Sequence, residues 1–366
     1  MPTADELLSA ATVAELGELM RAADGRRRWR ALGASTASFP EQSLSERARA
    51  VAAALLEDLP PDYAGTARVV RRALREEAFA GWMTWPVGEA VAARALASAG
   101  PADFEDGLEL LAELTPRLSS EFAIRAFLRA DLERSLRAIS TWTGAADEHV
   151  RRLASEGTRP RLPWARRVPE LFERPAATLP ILDALHRDEA EYVRRSVANH
   201  LNDLSRLDPT LAVATARRWL REEDPDSVRL VKRGLRTLVK EADPDALALF
   251  GFAPVPGLLV EGPLLGTEAV AVGEELGFAA TIVNPGTEPC ELAIDYVVGH
   301  RKANGEIRPK VFKLTTRRLQ PGERLEISRR HSFRPITTRR YHSGPHTLEL
   351  QVNGVRYGPA GFELNA

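Results

Sequence analysis

The periodicity of the sequence changes once, near Phe250, and this change constrains the fold more than any other feature. From residue 3 to about residue 250, apolar side chains recur at helical spacing, and Pro, Gly and Asp interrupt them at short intervals. Beyond Phe250, a Gly- and Pro-rich stretch precedes segments in which apolar and polar residues alternate. The chain is therefore predicted to be multidomain, with a helical domain over residues 1–255 and a β domain over residues 256–366.

The helical part is predicted to consist of short helices that pair with antiparallel neighbours. Breakers such as Gly100-Pro101 and Asp208-Pro209 stand where one helix should end and the next begin. The predicted helices span residues 4–22, 42–58, 62–80, 86–99, 103–114, 119–138, 146–156, 175–187, 189–204, 209–221 and 226–240.

A weak repeat runs through the helical part. An acid followed by Val-Arg recurs every 35–45 residues, in Glu148-His-Val-Arg-Arg, Glu191-Tyr-Val-Arg-Arg and Asp226-Ser-Val-Arg-Leu. This period and this helix-pair pattern are similar to those of HEAT repeats, which stack into a solenoid with a concave binding surface. The helical domain is therefore predicted to be an α-solenoid of HEAT-like repeats, with an irregular helical bundle as the alternative.

The C-terminal part alternates at period two and carries frequent turn signals. Six or seven short strands, separated by turns such as Asn304-Gly and Asn353-Gly, predict an immunoglobulin-like β-sandwich. The chain has one cysteine, Cys290. An internal disulfide and a cysteine-rich zinc site are therefore excluded, and no cofactor or metal is expected.

The charge of the chain is unevenly distributed. Its net charge is −1, yet residues 301–340 hold thirteen Lys and Arg against three Glu, and residues 151–240 also lean basic. Local basic patches, rich in arginine, favour forked contacts to phosphate groups. The sequence shows no signal peptide and no apolar run of membrane-spanning length. A cytoplasmic, nucleoid-associated monomer with no membrane partner is expected.

The stretch from Glu191 to Pro209 includes most of the helix predicted over 189–204, which has two distinct sides. One side is apolar and suits packing. The other side combines arginines, amides and an acid, which suits a grip on a phosphate backbone with a carboxylate beside it. A solvated surface laced with charge pairs is the alternative interpretation. The polar side carries Arg195, Asn199, Asn202, Asp203 and Arg206.

Three ordered motifs within residues 82–240 resemble a known family. They are Ser119-Ser-Glu-Phe-Ala-Ile-Arg-Ala-Phe-Leu128, the segment from Glu148-His-Val-Arg-Arg to Leu162-Pro-Trp164, and Tyr192-Val-Arg-Arg-Ser-Val-Ala-Asn-His-Leu-Asn-Asp203. They are similar to the DNA alkylation-repair glycosylases of the AlkC type, relatives of AlkD. One branch of that family carries an immunoglobulin-like domain after the helical repeats, as predicted here.

The resemblance implies a monofunctional DNA glycosylase of base excision repair. It implies hydrolysis of the N-glycosidic bond of cationic N3-alkylated bases in double-stranded DNA, chiefly 3-methyladenine, with 3-methylcytosine as a further candidate. Two positions depart from the family pattern: Arg125-Ala-Phe-Leu stands in place of Arg-Pro-Phe-Leu, and Asp208-Pro stands in place of His-Pro. These departures put helix packing in question rather than the chemistry.

Two carboxylates are the leading catalytic candidates. Glu156 holds in its helix the position that Asn199 holds in the later one, just as Arg152 matches Arg195. A glutamate is a poor choice for phosphate binding, whereas a carboxylate stabilises the oxocarbenium-like sugar and orients a water. Glu156 and Asp203 are therefore predicted to be catalytic.

Two more residues are predicted to lie near the lesion, Glu121 from the family motif and Trp164 from its place in a loop that lacks a helical pattern. Glu121 is the third candidate carboxylate, although its place after Ser119-Ser120 also suits a helix cap. Trp164, in a loop, is predicted to stack on a base or shield the sugar, with a core anchor as the alternative. The other tryptophans at positions 82, 85, 142 and 219 are predicted to be core.

Contacts to DNA phosphates are predicted along successive repeats and on a basic hairpin of the sandwich. Two further classes of function stay open: a related protein that has lost catalysis and binds distorted or branched DNA, and a scaffold that binds another protein. The predicted DNA-binding residues are Arg152, Arg159, Arg161, Arg194, Arg195, Asn199, Arg233, Arg301, Lys302 and Lys310.

Overall fold

The computed structural model describes residues 3–25, 29–221, 224–336 and 339–365. Residues up to Gly234 form one compact unit, and residues from Leu235 onward form a second. Every regular element described in the first unit is helical. Its α-helices are α1 Ala4–Leu7, α2 Ala10–Asp24, α3 Arg30–Ala34, α4 Leu44–Asp58, α5 Tyr63–Ala73, α6 Thr84–Ala97, α7 Asp103–Leu114, α8 Ile124–Ala130, α9 Leu132–Thr141, α10 Glu148–Glu156, α11 Pro169–Glu173, α12 Leu179–Leu185, α13 Glu191–Leu204, α14 Pro209–Trp219 and α15 Pro225–Gly234.

The second unit begins with two short helices and continues as strands. Its elements are α16 Arg236–Glu241, α17 Pro244–Ala248, β1 Leu259–Leu265, β2 Ala269–Ala271, β3 Glu275–Val283, β4 Cys290–Arg301, β5 Ile307–Leu319, β6 Arg324–Ser332, β7 Gly344–Val352 and β8 Val355–Asn365. The domain boundary predicted between residues 255 and 256 lies between the last helix and the first strand. The compact units divide earlier, after Gly234, so α16 and α17 belong to the second unit and not to the predicted helical domain.

Most predicted helices are confirmed, and two of the longest are divided by capping residues. The helix predicted over 4–22 breaks at Ser9, whose side chain accepts from Thr12 N and starts α2. The helix predicted over 119–138 breaks at Asp131, which accepts from Arg134 N and starts α9. A side chain that satisfies the free amides of a helix start favours a new helix over continuation of the old one.

The repeat motifs stand on helices that pack side by side. α13 packs against both α10 and α15. A Cβ on Gly234 would lie 2.6 Å from Leu201 Cδ2, so a larger residue there would require Leu201 to shift. The buried ring of His200 joins α13 to the other repeat by donating from Nδ1 to Ser155 O at 3.0 Å. The prediction of a helical-repeat body is confirmed.

The strands of the second unit form two sheets. One has the order β1-β3-β6 and the other the order β2-β8-β7-β4-β5, with apolar side chains of both sheets in the core between them. The two-residue turn after β7 uses Asn353 (φ 47°) and Gly354 (φ 84°), both in the left-handed region that such hairpins require. The strand β1 was missed because Gly262-Pro263 interrupts it, which the edge of a sheet tolerates.

The described helices include none that is both long and apolar enough to cross a membrane.

Three buried histidines lie in the second unit, at positions 300, 331 and 346. The rings of His300 on β4 and His331 on β6 have centroids 6.2 Å apart. Burial, with the positive charge of Arg339 nearby, lowers the pKa of His300 to about 3 and that of His331 to about 4. Lys310 also disfavours protonation of His331. Both rings are therefore neutral in the folded protein at neutral pH.

The second unit should consequently lose stability in mild acid. The unfolded histidines have a pKa near 6.5, above the folded values, so the stabilisation is complete above about pH 6.5 and falls as the pH drops below it. We expect the melting temperature of the strands to be lower at pH 5 than at pH 7.5 by at least about 5 °C, measured by circular dichroism. His331→Gln should reduce this difference, because glutamine does not titrate. An unchanged difference in that variant would contradict the assignment.

Candidate active site

A cavity of about 510 Å³ lies in the helical unit, and two of the three predicted catalytic carboxylates line it. Glu121 comes from the turn before α8, and Glu156 is the last residue of α10. Arg152 lies between them on the wall. Aromatic side chains form much of the rest of the lining, namely Trp82, Phe122, Trp164 and Tyr192.

A chain of alternating charges runs from the cavity into the protein. Arg152 Nη1 lies 2.6 Å from Glu121 Oε2, and its Nη2 lies 3.5 Å from Glu156 Oε1. Arg159 Nη1 donates to Glu156 Oε1 at 2.7 Å, and its Nε donates to Asp203 Oδ2 at 2.9 Å. The three predicted carboxylates are thus joined by two arginines in one network, which we call the carboxylate–arginine chain: Glu121, Arg152, Glu156, Arg159 and Asp203.

Helix geometry and one tight contact bring these side chains together. Arg152 and Glu156 are four residues apart on α10 and so share one face. Gly157 caps the end of α10, and a Cβ on this residue would lie 2.1 Å from Ile124 Cδ1. Glycine therefore lets the chain leave α10 directly against α8, and Arg159 then turns back towards Glu156 and across to Asp203 on α13.

The three carboxylates differ in the oxygen atoms they leave open. Both oxygens of Glu156 are occupied, since Ser196 Oγ donates to Oε2 at 2.7 Å. Both oxygens of Asp203 accept from Arg159, and Arg161 N adds a contact to Oδ2 at 3.3 Å. Glu121 uses Oε2 for Arg152 and for Ser119 Oγ, whereas no described residue donates to its Oε1. Glu121 is therefore the carboxylate with an open acceptor.

Burial and ion pairing act in opposite directions on this network. Burial raises the pKa of Asp203, although Arg159 beside it favours the charged form. Burial disfavours the charged form of Arg159, yet the carboxylates of Asp203 and Glu156 outweigh it and leave the pKa of Arg159 raised. The same balance raises the pKa of Arg152 through Glu121 and Glu156. Each arginine holds its charge because two acids flank it.

Trp164 is the most exposed large apolar residue among those described in the helical unit, and it lies on the cavity wall. Its side chain is 74% exposed, and its backbone adopts a left-handed φ of 63°, which is uncommon for a bulky residue. The alternative of a core anchor is wrong. Among the other tryptophans, Trp142 and Trp219 are core as predicted, whereas Trp82 and Trp85 are half-buried and Trp82 lines the cavity.

Two placements differ from the sequence prediction. Asp203 and Asn202, expected on an exposed polar side of α13, are both buried. Arg159 and Arg161 of the preceding repeat cover Asp203. Arg159, expected to contact phosphate, is buried with its guanidinium bonded to Glu156 and Asp203. A phosphate-binding role for Arg159 does not fit this placement.

The other predicted DNA contacts of the helical unit lie nearer the surface. Arg161, Arg195 and Arg233 are exposed, and Asn199 is half-buried. Arg194 is half-buried and donates to Asp188 O at 2.6 Å, with Asp226 Oδ2 also within 3.1 Å. In the second unit, Arg301 is the last residue of β4. Lys302 follows it and Lys310 lies on β5, and both lysines are exposed. Their contacts with DNA remain predictions.

Two cavity residues were missed in the sequence. Tyr192 lies on the cavity wall with its ring centroid 5.2 Å from the Arg152 guanidinium carbon, and the ring of His149 lies 5.5 Å from it. Both occupy the position after the acid in the repeat motif, so the repeat itself places them on equivalent faces of α10 and α13. This equivalence within the repeat could have identified both residues as cavity residues from the sequence.

The described residues contain no cluster of three or more His, Cys, Asp or Glu arranged to hold a metal ion. The fold and the cavity define a class of protein: a helical-repeat body whose cavity bears an arginine-bound group of carboxylates, followed by a β domain of two sheets. A family model described as the C-terminal Ig-like domain of the uncharacterised protein YhaZ matches residues 259–366. The predicted immunoglobulin-like domain is confirmed.

Two similar proteins extend the comparison to the whole chain. Uncharacterized protein YhaZ of Bacillus subtilis is 35% identical over 326 residues, covering 89% of this chain and 88% of the relative. A solved structure of the alkylpurine DNA glycosylase AlkC of Pseudomonas fluorescens, bound to DNA containing an abasic site analog, matches with a TM-score of 0.80 and 32% identity over the full length of both chains. The chain belongs to the family of AlkC and YhaZ.

The unequal bonding of the carboxylates predicts unequal effects of substitution on stability. Asp203→Asn places an amide against Arg159 and leaves a buried arginine half-paired, which should cost about 3 kcal/mol of the free energy of unfolding. Glu121→Gln keeps an oxygen for Arg152 and should cost less than about 1 kcal/mol. Urea unfolding followed by circular dichroism measures both. Equal losses would show that Asp203 is no more integral to the fold than Glu121.

Proposed function

We propose that the protein is a monofunctional alkylpurine DNA glycosylase. Its substrates would be cationic N3-alkylated bases in double-stranded DNA, 3-methyladenine first and 3-methylcytosine second. The observation that carries this proposal is the carboxylate–arginine chain, which meets an aromatic-walled cavity at Glu121 and Glu156. The similarity to a Pseudomonas alkylpurine DNA glycosylase over the full chain supports the same activity.

The chemistry of the proposed substrate explains why carboxylates suffice. An N3-alkylated adenine or cytosine carries a positive charge, so it leaves as a neutral base and needs no general acid. The remaining barrier comes from positive charge that develops on the sugar. A fixed carboxylate stabilises that charge, and a free carboxylate oxygen can also orient the attacking water. Acids held in place by arginines are suited to both tasks.

The open oxygen of Glu121 suggests a division of roles. We assign the contact with the sugar or the water to Glu121, because its Oε1 has no donor among the described residues. Glu156, which also lines the cavity, would add negative charge beside it. Asp203 would act from deeper in the protein, through Arg159, on the position of Glu156.

The aromatic wall suits a cationic base. A positive charge over the face of an aromatic ring is stabilised by about 0.5–2 kcal/mol, more so where water is excluded. Trp164 is exposed at the cavity, while Tyr192 on α13 lies beside Arg152 on α10. We assign to Trp164 the contact with the damaged nucleotide, either by stacking on the base or by shielding the sugar from bulk water.

DNA would be held by surface cations on both units, with the protein acting as a monomer in the cytoplasm, close to the nucleoid. Arg152 would add charge at the cavity itself. Arg195 stands over the Tyr192 ring at 5.9 Å, beside the cavity wall. The remaining proposed contacts are Arg161, Arg194, Asn199 and Arg233 in the helical unit and Arg301, Lys302 and Lys310 in the β unit.

An associated lyase step is not expected. Cleavage of the abasic strand needs an amine that attacks the sugar and forms a Schiff base. The sequence contains no lysine before Lys232, and the cavity lining holds none. The product should therefore be an intact strand with an abasic site.

The direct test is incubation with duplex DNA methylated by a methylating agent, followed by chromatography of released bases. We expect release of 3-methyladenine without added metal or nucleotide, and no strand scission until alkali is added. The Glu121→Gln variant, purified in the same way, should release the base at least about 10²-fold more slowly. Absence of release by the unaltered protein, or a Schiff base trapped by borohydride, would refute the proposal.

A further inference from the structure

Arg125 is a buried arginine that forms no ion pair with a carboxylate among the described residues. It lies on α8 and is 1% exposed. Its Nη1 donates to Gly157 O at 3.0 Å and to Arg159 O at 2.8 Å, and its Nε donates to Arg166 O at 2.5 Å. Burial lowers its pKa to about 10, so it keeps its charge at neutral pH. Three backbone carbonyls thus take the place of a counterion.

The segment that Arg125 binds is the one that completes the cavity. Residues 157–166 are irregular, so their carbonyls lack the partners that a helix would supply. This segment carries the Arg159 side chain, the Arg161 amide that donates to Asp203, and Trp164. The positions of these groups depend on the backbone between Gly157 and Arg166, whose carbonyls Arg125 binds.

The neighbouring residue of α8 fixes the same segment by packing. The ideal Cβ position of Gly157 lies 2.1 Å from Ile124 Cδ1 and 2.9 Å from Ile124 Cγ1, so α8 sits directly on the end of α10. Glu121 lies four residues before Arg125 in the turn that leads into α8. One short element therefore holds Glu121 and also clamps the segment that carries Trp164 and Arg159.

We propose that Arg125 is a positioning residue that sets the separation of Glu121 from Glu156 and the place of Trp164. The inference deepens the proposed glycosylase function and rests on it for its kinetic consequence. A shift of about 1 Å in the placement of reacting groups costs about 10²-fold in rate, so loosening this clamp should affect the chemical step more than DNA affinity. No substrate contact is assigned to Arg125 itself.

The kinetic test uses two substitutions and one matched control. Arg125→Lys keeps the charge but loses the fork that spans the three carbonyls, and Arg125→Met loses every donor. Arg129→Met is the control, because Arg129 lies one turn later on α8 and donates from the exposed surface to Arg167 O at 2.9 Å. We expect excision under saturating enzyme to fall at least about tenfold for Arg125→Lys and about 10²-fold for Arg125→Met. Affinity for duplex DNA with an abasic site analogue should change less than about threefold.

A second readout is local and independent of activity. Trypsin should cut after Arg161, Arg166 or Arg167 faster in both Arg125 variants than in Arg129→Met, while the melting temperature of Arg125→Lys stays near that of the unaltered protein. The proposal is overturned if Arg125→Lys excises at the unaltered rate or if its segment is cut no faster than the control. If the unaltered protein releases no base, the proposed function fails, yet the trypsin comparison still decides whether Arg125 holds the segment.

Discussion

The buried bridge that Arg159 forms between Glu156 and Asp203 is the interaction on which the rest of the site depends. Two carboxylates removed from water in adjacent repeats would be costly to ionise without a shared counterion. Arg159 supplies it with bonds of 2.7 Å to one and 2.9 Å to the other. The bridge therefore fixes α10 against α13 and holds Glu156 at the cavity, next to Arg152 and Glu121.

The sequence allowed much of the fold to be predicted, because its signals are local. Helical periodicity, Asp and Ser caps and the change to alternation near Phe250 each arise within a few residues. Capping residues that interrupted a long apolar pattern, such as Ser9 and Asp131, were underestimated. The strand β1 was missed since Gly262-Pro263 resembles a linker when its place at a sheet edge is unknown.

The site was predicted less completely, since its chemistry arises from contacts between repeats. The family motifs identify Glu121, Glu156, Trp164 and Asp203 as candidates, and a helical wheel then places Asp203 on the polar side of its helix. A wheel does not reveal which neighbour covers that side. The loop after α10 does so and turns Arg159 from a candidate phosphate contact into the counterion of two acids.

The central claim is that this bridged pair serves the chemical step and not the grip on DNA. The measurement that tests it most directly is excision of 3-methyladenine under saturating enzyme by Glu156→Gln, paired with affinity for duplex DNA containing an abasic site analogue. Glu148→Gln, an exposed acid at the other end of α10, is the control. The account predicts a loss of about 10²-fold in excision with equal or tighter binding. Weaker binding with unchanged saturated excision would contradict it.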